Sequence, residues 1–132
     1  MKTARNFREY KVWQDAVAYA TEVYKLTATL PYFERKGLCD QLQRAVVSIS
    51  SNIAEGSARP SDADFAHFLD TALGSAYEVE TQLLIAKNVG YVRTKNDESG
   101  TKNDGGTTYE DLLAGIQDIE KQLVNFISFI RK

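Results

Sequence analysis

His67 and Cys39 are the only histidine and the only cysteine in the sequence, so between them they bound the chemistry on offer. Asp64-x-x-His67 has the spacing that places a carboxylate and an imidazole on one helix face, as each Glu-x-x-His half of a di-iron bundle requires. A di-iron site needs two such halves and two further glutamates. Here the half-motif is single and carries the shorter acid, and a capping role accounts better for Asp64. Cys39 would need an imidazole as base to act as a nucleophile. Only His67 could serve, and a lone cysteine near a helix start reads as buried packing. Glu78 and Glu80 are two apart, point to different helix faces and make no carboxylate pair. The stretches GLCDQ and GSARPSD lack the glycine and lysine spacing of a phosphate loop. Trp13 and Tyr24 fit packing better than base stacking. No catalytic residue, metal ligand, cofactor or small-molecule substrate is therefore expected, and the chain reads as a non-enzyme.

The residues that remain of interest must be positioned by helices. A first segment, about 11–30, carries Trp13, Ala16, Val17, Ala20, Val23, Thr27 and Leu30 at spacings of three and four, with Pro31 to end it. A second, about 37–55, has the inner stripe Leu38, Leu42, Val46, Ile49 and Ile53, and Gly56 stands where a helix stop is expected. The third, about 61–89, starts with Ser61 and Asp64 in a capping-box-like pattern. Its stripe runs Phe65, Phe68, Ala72, Ala76, Val79, Leu83 and Ala86 to Gly90. The fourth, about 108–131, has Glu110 and Asp111 in its first turn and the stripe Leu112, Ile116, Ile119, Leu123, Phe126 and Ile130. The first two connections are short, which predicts an all-α fold, a single domain over 1–132 built as an antiparallel up-down-up-down four-helix bundle. Residues 92–107 read as a flexible loop, in which TKND occurs twice, at Thr94 and Thr101.

With 132 residues, 43% hydrophobic and 26% charged, the chain is ordinary for one globular domain. Its net charge of −2 argues against polyanion binding by bulk charge. The charge is uneven: residues 1–60 carry nine Lys/Arg against six Asp/Glu, a surplus of three, and residues 61–90 carry one against five. Lys2, Arg5, Arg8 and Lys11 make the N-terminus a small basic arm. One cysteine rules out an internal disulfide and suits a reducing compartment. No apolar run approaches the ~18 residues of a membrane span, and MKTARNFREYKVWQ has no apolar h-region. A cytoplasmic protein, off the membrane, is expected.

Residues 44–59, RAVVSISSNIAEGSAR, depart from the usual build of an exposed helix face. Serine and asparagine compete for backbone hydrogen bonds and are mediocre helix formers. At 100° per residue Gln41, Arg44, Ser48, Ser51, Asn52 and Glu55 form a second stripe about 120° from the apolar one, and its phase extends to Arg59. The third segment is apolar or small nearly all round, with His67, Thr71, Gly74, Glu78, Thr81 and Ile85 opposite its core stripe and Leu73, Tyr77 and Leu84 on the flank. A helix apolar all round is normally buried on more than one side, and Gly74 in mid-helix costs about 1 kcal/mol against alanine. These features point to a homo-oligomer in which the second and third helices supply subunit contacts. Arg44 and Glu55 lie roughly 16 Å apart along one helix, so each is expected to meet a partner on another helix or subunit, with Glu22, Glu78 and Glu80 the candidates for Arg44.

VWQDA, GLCDQLQRAVVSISSNIAEGSAR, DFAHFLDTALGSAYEVETQL and NVGY follow one another over about residues 7–91. In that order they resemble the small four-helix-bundle family of bacterial 23S ribosomal RNA intervening sequences, which includes the accessory variability determinant of diversity-generating retroelements. The resemblance implies a ring-shaped homopentamer without catalytic residues. For the retroelement relatives it implies binding of a reverse transcriptase and nucleic acid through a basic surface. The acidic balance of this chain departs from that pattern. Two functions follow. The first is an oligomeric scaffold or adaptor that uses the stripe Arg44, Ser48, Ser51, Asn52, Glu55 and Arg59 with Gly74, Glu78 and Ile85. The alternative is a protein binding RNA or a nucleic-acid-processing partner, acting with ribosomal RNA or a reverse transcriptase, through Lys2, Arg5, Arg8, Lys11, Arg35 and Lys36.

Overall fold

The computed structural model describes residues 5–96 and 106–132. Four helices carry the fold: α1 (Lys11–Thr27), α2 (Leu38–Ser57), α3 (Asp62–Asn88) and α4 (Tyr109–Ile130). They form an antiparallel four-helix bundle in which α1 packs on α2, α2 on α3, α3 on α4 and α4 back on α1. The α2–α3 contact is the most extensive and the α1–α4 contact the least.

Local chemistry sets the helix ends. The Ser61 hydroxyl accepts the Asp64 amide at 3.1 Å and the Thr108 hydroxyl that of Asp111 at 3.3 Å. Each therefore takes up an N–H that has no partner inside its helix. At the far end of α3, Gly90 has φ +88°, and the Tyr91 amide reaches back to the Ala86 carbonyl at 2.9 Å. This is a Schellman stop, for which glycine is suited. α1 stops three residues short of the expected Leu30. The hydroxyls of Thr27 and Thr29 donate to the carbonyls of Tyr24 and Leu26, and the chain tightens into a turn ahead of Pro31.

The inner stripes hold for most of α2, α3 and α4, with Leu42, Val46, Ile49, Ile53, Phe65, Leu83, Ile116 and Leu123 fully buried; Leu38 is half-buried and its neighbour Cys39 buried instead. Four details differ from the periodicity. In α1 the inward positions are Val12, Ala16, Tyr19, Val23 and Thr27, while Val17 is exposed. Tyr19 can face inward because its hydroxyl donates to the Leu112 carbonyl at 2.6 Å. Leu69 and Ile127 are buried where Phe68, Phe126 and Ile130 are only half-buried. Gly56 does not end α2. It lies inside the helix and is buried, and a Cβ there would sit 2.6 Å from Cβ of Phe68 and 3.0 Å from Cδ1 of Phe65. Its role is to let α2 and α3 approach closely. The ends of the third connection are also ordered: Val92 is buried, and the Arg93 carbonyl accepts the Tyr109 amide at 2.8 Å. The TKND repeat beyond Asn96 lies outside the described residues.

Candidate interaction surfaces

The polar residues of SISSN divide between two uses. Ser48 and Asn52 are half-buried at the α2–α3 seam. The Asn52 amide donates to the Ser48 hydroxyl and carbonyl, both at 2.8 Å, and the Ser75 hydroxyl of α3 donates to Ser48 Oγ at 2.8 Å. Short side chains are needed here because Gly56 brings the two helices together one to two turns further on. A lysine or glutamate at position 48 would have to leave the seam and break this network. Ser51 and Glu55 point outward and are exposed.

Within the protomer Arg44 does not meet Glu22, Glu78 or Glu80. Its Nε pairs with Asp40 Oδ2 at 2.9 Å, one turn back on α2. An i,i+4 pair costs less ordering than one across helices. The other candidates are placed differently: Glu22 pairs with Lys25 at 3.2 Å, Glu80 accepts from Gln117 at 3.4 Å, and Glu78 is exposed. Arg59 lies with its guanidinium 4.7 Å from the Phe68 ring centroid.

Outward on α3 stand Gly74, Tyr77, Glu78, Leu84 and Ile85. Tyr77 and Ile85 are each 48% exposed and Leu84 44%. Nothing lies within 4 Å of where a Gly74 Cβ would be. Two turns along from Ser75, on the same side of α3, Gln82 is only 9% exposed, and its Oε1 has no hydrogen-bond partner among the described residues.

The basic positions also divide. Lys2 lies outside the described residues. Arg5 is committed to the fold: it donates to the Arg59 carbonyl at 2.6 Å, pairs with Asp62 at 2.5 Å and lies 4.6 Å from the Phe65 ring centroid. Lys11 pairs with Asp15 at 2.6 Å. Arg8, over the Phe7 ring, and Arg35, over the Tyr32 ring, have no carboxylate partner among the described residues, and neither has Lys36.

His67 is exposed on α3 and Cys39 buried at the start of α2, where burial pushes its thiol pKa up and keeps it protonated. Among the described residues no three His, Cys, Asp or Glu side chains are grouped to hold a metal ion. A carboxyl pair does exist, between helices rather than along one: Glu80 of α3 and Glu120 of α4. Burial, then the neighbouring Glu80 carboxyl, raise Glu120 to about 8. Its Oε2 is enclosed without a hydrogen-bond partner among the described residues. The sequence gives no signal for this pair, because α3–α4 register is not local information. Between the ordinary carboxyl value and about 8 the folded state binds the proton that the unfolded chain releases, so stability falls as pH rises through that window. Glu120→Gln is expected to flatten that part of the thermal stability profile. At pH 8–9 it should raise stability by about 1 kcal/mol, the modest size set by the partial exposure of the pair. Calorimetric melts from pH 5 to 9 check both.

A family model described as 23S rRNA-intervening sequence protein matches residues 8–103. Among solved structures, one of a protein of unknown function from the S23 ribosomal protein family of Bacteroides thetaiotaomicron VPI-5482 is similar. It has a TM-score of 0.72 and 27% identity, over 88% of this chain and 97% of that one. No curated protein matches the chain.

Proposed function

Because the chain belongs to the 23S rRNA-intervening sequence protein family, we propose on that premise that it is a non-enzymatic, self-associating scaffold of the cytoplasm. Its outward α2–α3 face would receive another copy. The observation that carries this reading is Gly74. A mid-helix glycine costs about 1 kcal/mol against alanine, and inside the protomer nothing needs it, since the space beside it is open. A second backbone laid there would need it. Tyr77, Leu84 and Ile85 supply the apolar area of that face, and Ser51, Glu55 and Glu78 its polar margin. Ser48 and Asn52 support the face from within. The family resemblance favours a ring of five.

Light scattering at micromolar concentration tests this. The wild type should give a multiple of 14.8 kDa. Gly74→Gln should give the protomer while keeping or raising its helical stability, since glutamine is the better helix former. A wild-type protomer mass, or an unchanged assembly in Gly74→Gln, overturns the reading.

A second reading, RNA binding, is favoured by the cations Arg8, Arg35 and Lys36, which have no carboxylate partner among the described residues. Titration of an RNA oligonucleotide at two salt concentrations tests it. Affinity should fall as salt rises, because phosphate contacts release counterions.

A further inference from the structure

The turn between α1 and α2 carries two adjacent aromatic residues outside the core. Tyr32 is 78% exposed and Phe33 77%, in a single 3-10 turn, Tyr32–Glu34, that follows Pro31. Large apolar rings are seldom left so open side by side without a use. They edge a cleft of about 1080 Å³ whose walls also include Tyr24, Arg35, Lys36 and, at the floor, Cys39. That volume lies just above the roughly 300–1,000 Å³ typical of ligand sites.

The charged side chains that line the cleft, Arg35 and Lys36, are both cationic. No Asp or Glu is among its lining residues. The two nearest carboxylates in sequence make their bonds outside this lining, while the Glu34 charge still reaches Cys39. Glu34 accepts the Leu38 amide at 3.2 Å and the Tyr91 hydroxyl at 2.9 Å, and Asp40 holds Arg44. Arg35 lies 5.3 Å from the Tyr32 ring centroid, so a cation and a π face are presented together. Lys36 follows it without a carboxylate partner among the described residues.

We infer that this cleft binds unpaired nucleotides of single-stranded RNA, with bases stacked on Tyr32 and Phe33 and phosphates on Arg35 and Lys36. The inference rests on the RNA-binding reading above and deepens it. Exposed rings beside a short cationic run suit a strand whose base faces are free. A duplex offers no such faces, and two cations are too few to follow its phosphate rows.

Fluorescence anisotropy with a labelled 12-nucleotide RNA lacking secondary structure, and with the same strand in a duplex, tests the site. The wild type should bind the single strand at least tenfold tighter than the duplex. Tyr32→Ala/Phe33→Ala should lose at least about tenfold in single-strand affinity, with an unchanged melting temperature because both rings are exposed. Arg35→Gln/Lys36→Gln should lower the slope of log affinity against log salt by about 1.4, at ~0.7 per phosphate contact on a single strand. Wild-type RNA binding that both double variants leave intact overturns the site and leaves the RNA-binding reading standing. No wild-type binding at low salt overturns both. Loss of self-association in Tyr32→Ala/Phe33→Ala, seen by light scattering, assigns the cleft to a second copy of the chain and overturns the RNA site.

Discussion

Replacing Gly56 with valine is expected to destabilise the protein by about 3 kcal/mol, lowering the melting temperature by roughly 10 °C. A Cβ at this position falls 2.6 Å from Cβ of Phe68. That atom is fixed to the α3 backbone and cannot rotate away, so relief requires the two helices to separate. Separation loosens the most extensive contact of the bundle and pulls Ser48 from Ser75, now 2.8 Å apart. Alanine meets the same clash but recovers about 1 kcal/mol of helix propensity, so Gly56→Ala should fall between wild type and valine. Gly74→Ala is the matched control: its Cβ enters open space, and in the protomer it should add up to about 1 kcal/mol. Thermal melts of the three variants check the ordering. Equal effects at positions 56 and 74 would show that helix propensity, not close approach, governs position 56.

Phe65→Ala should cost about 3–5 kcal/mol in denaturant unfolding, with the slope against denaturant unchanged. Phe65 is fully buried. Its ring meets Phe126 edge-to-face at 5.5 Å and stacks with Tyr10 at 6.3 Å, and the Arg5 guanidinium lies 4.6 Å from its centroid. The substitution therefore leaves a cavity between α3 and α4 and also removes the surface on which the N-terminal segment rests. Arg5 retains its bonds to the Arg59 carbonyl and Asp62, but without the ring beneath it the segment should become more susceptible to limited proteolysis. A loss below 1 kcal/mol, or unaltered proteolysis, would contradict this account of the bundle end.

These two sites differ in how far the sequence exposes them. Phe65 begins a stripe with helical spacing and is legible as core. Gly56 follows an apolar run and reads as a stop, because glycine's local meaning is chain termination; its actual use depends on which α3 residue comes opposite. The same division runs through the interaction surfaces. The outward face of α3, with Gly74, Tyr77, Leu84 and Ile85, is visible from a helical wheel. That Ser48 and Asn52 turn toward Ser75, that Arg44 takes Asp40, and that Arg5 belongs to the fold are not. Tyr32 and Phe33 left one trace, two aromatics followed by Arg35 and Lys36 in a connection too short to fold back over them.

What the sequence by itself determined is the set of four helices, their antiparallel order, the cap at Ser61 and most of the buried stripe. Each of these rests on interactions within a few residues, or on the 3.6-residue period that any amphipathic helix must show. Only the tertiary structure decided which polar residues meet between helices: Ser48 with Ser75, Glu80 with Glu120, and Arg5 with Asp62. The physical reason is register. A rotation of a fraction of a turn, or a slide of one residue, changes every such partner while leaving each helix's own periodicity intact. That offset is set by side chains interlocking between segments far apart in the chain.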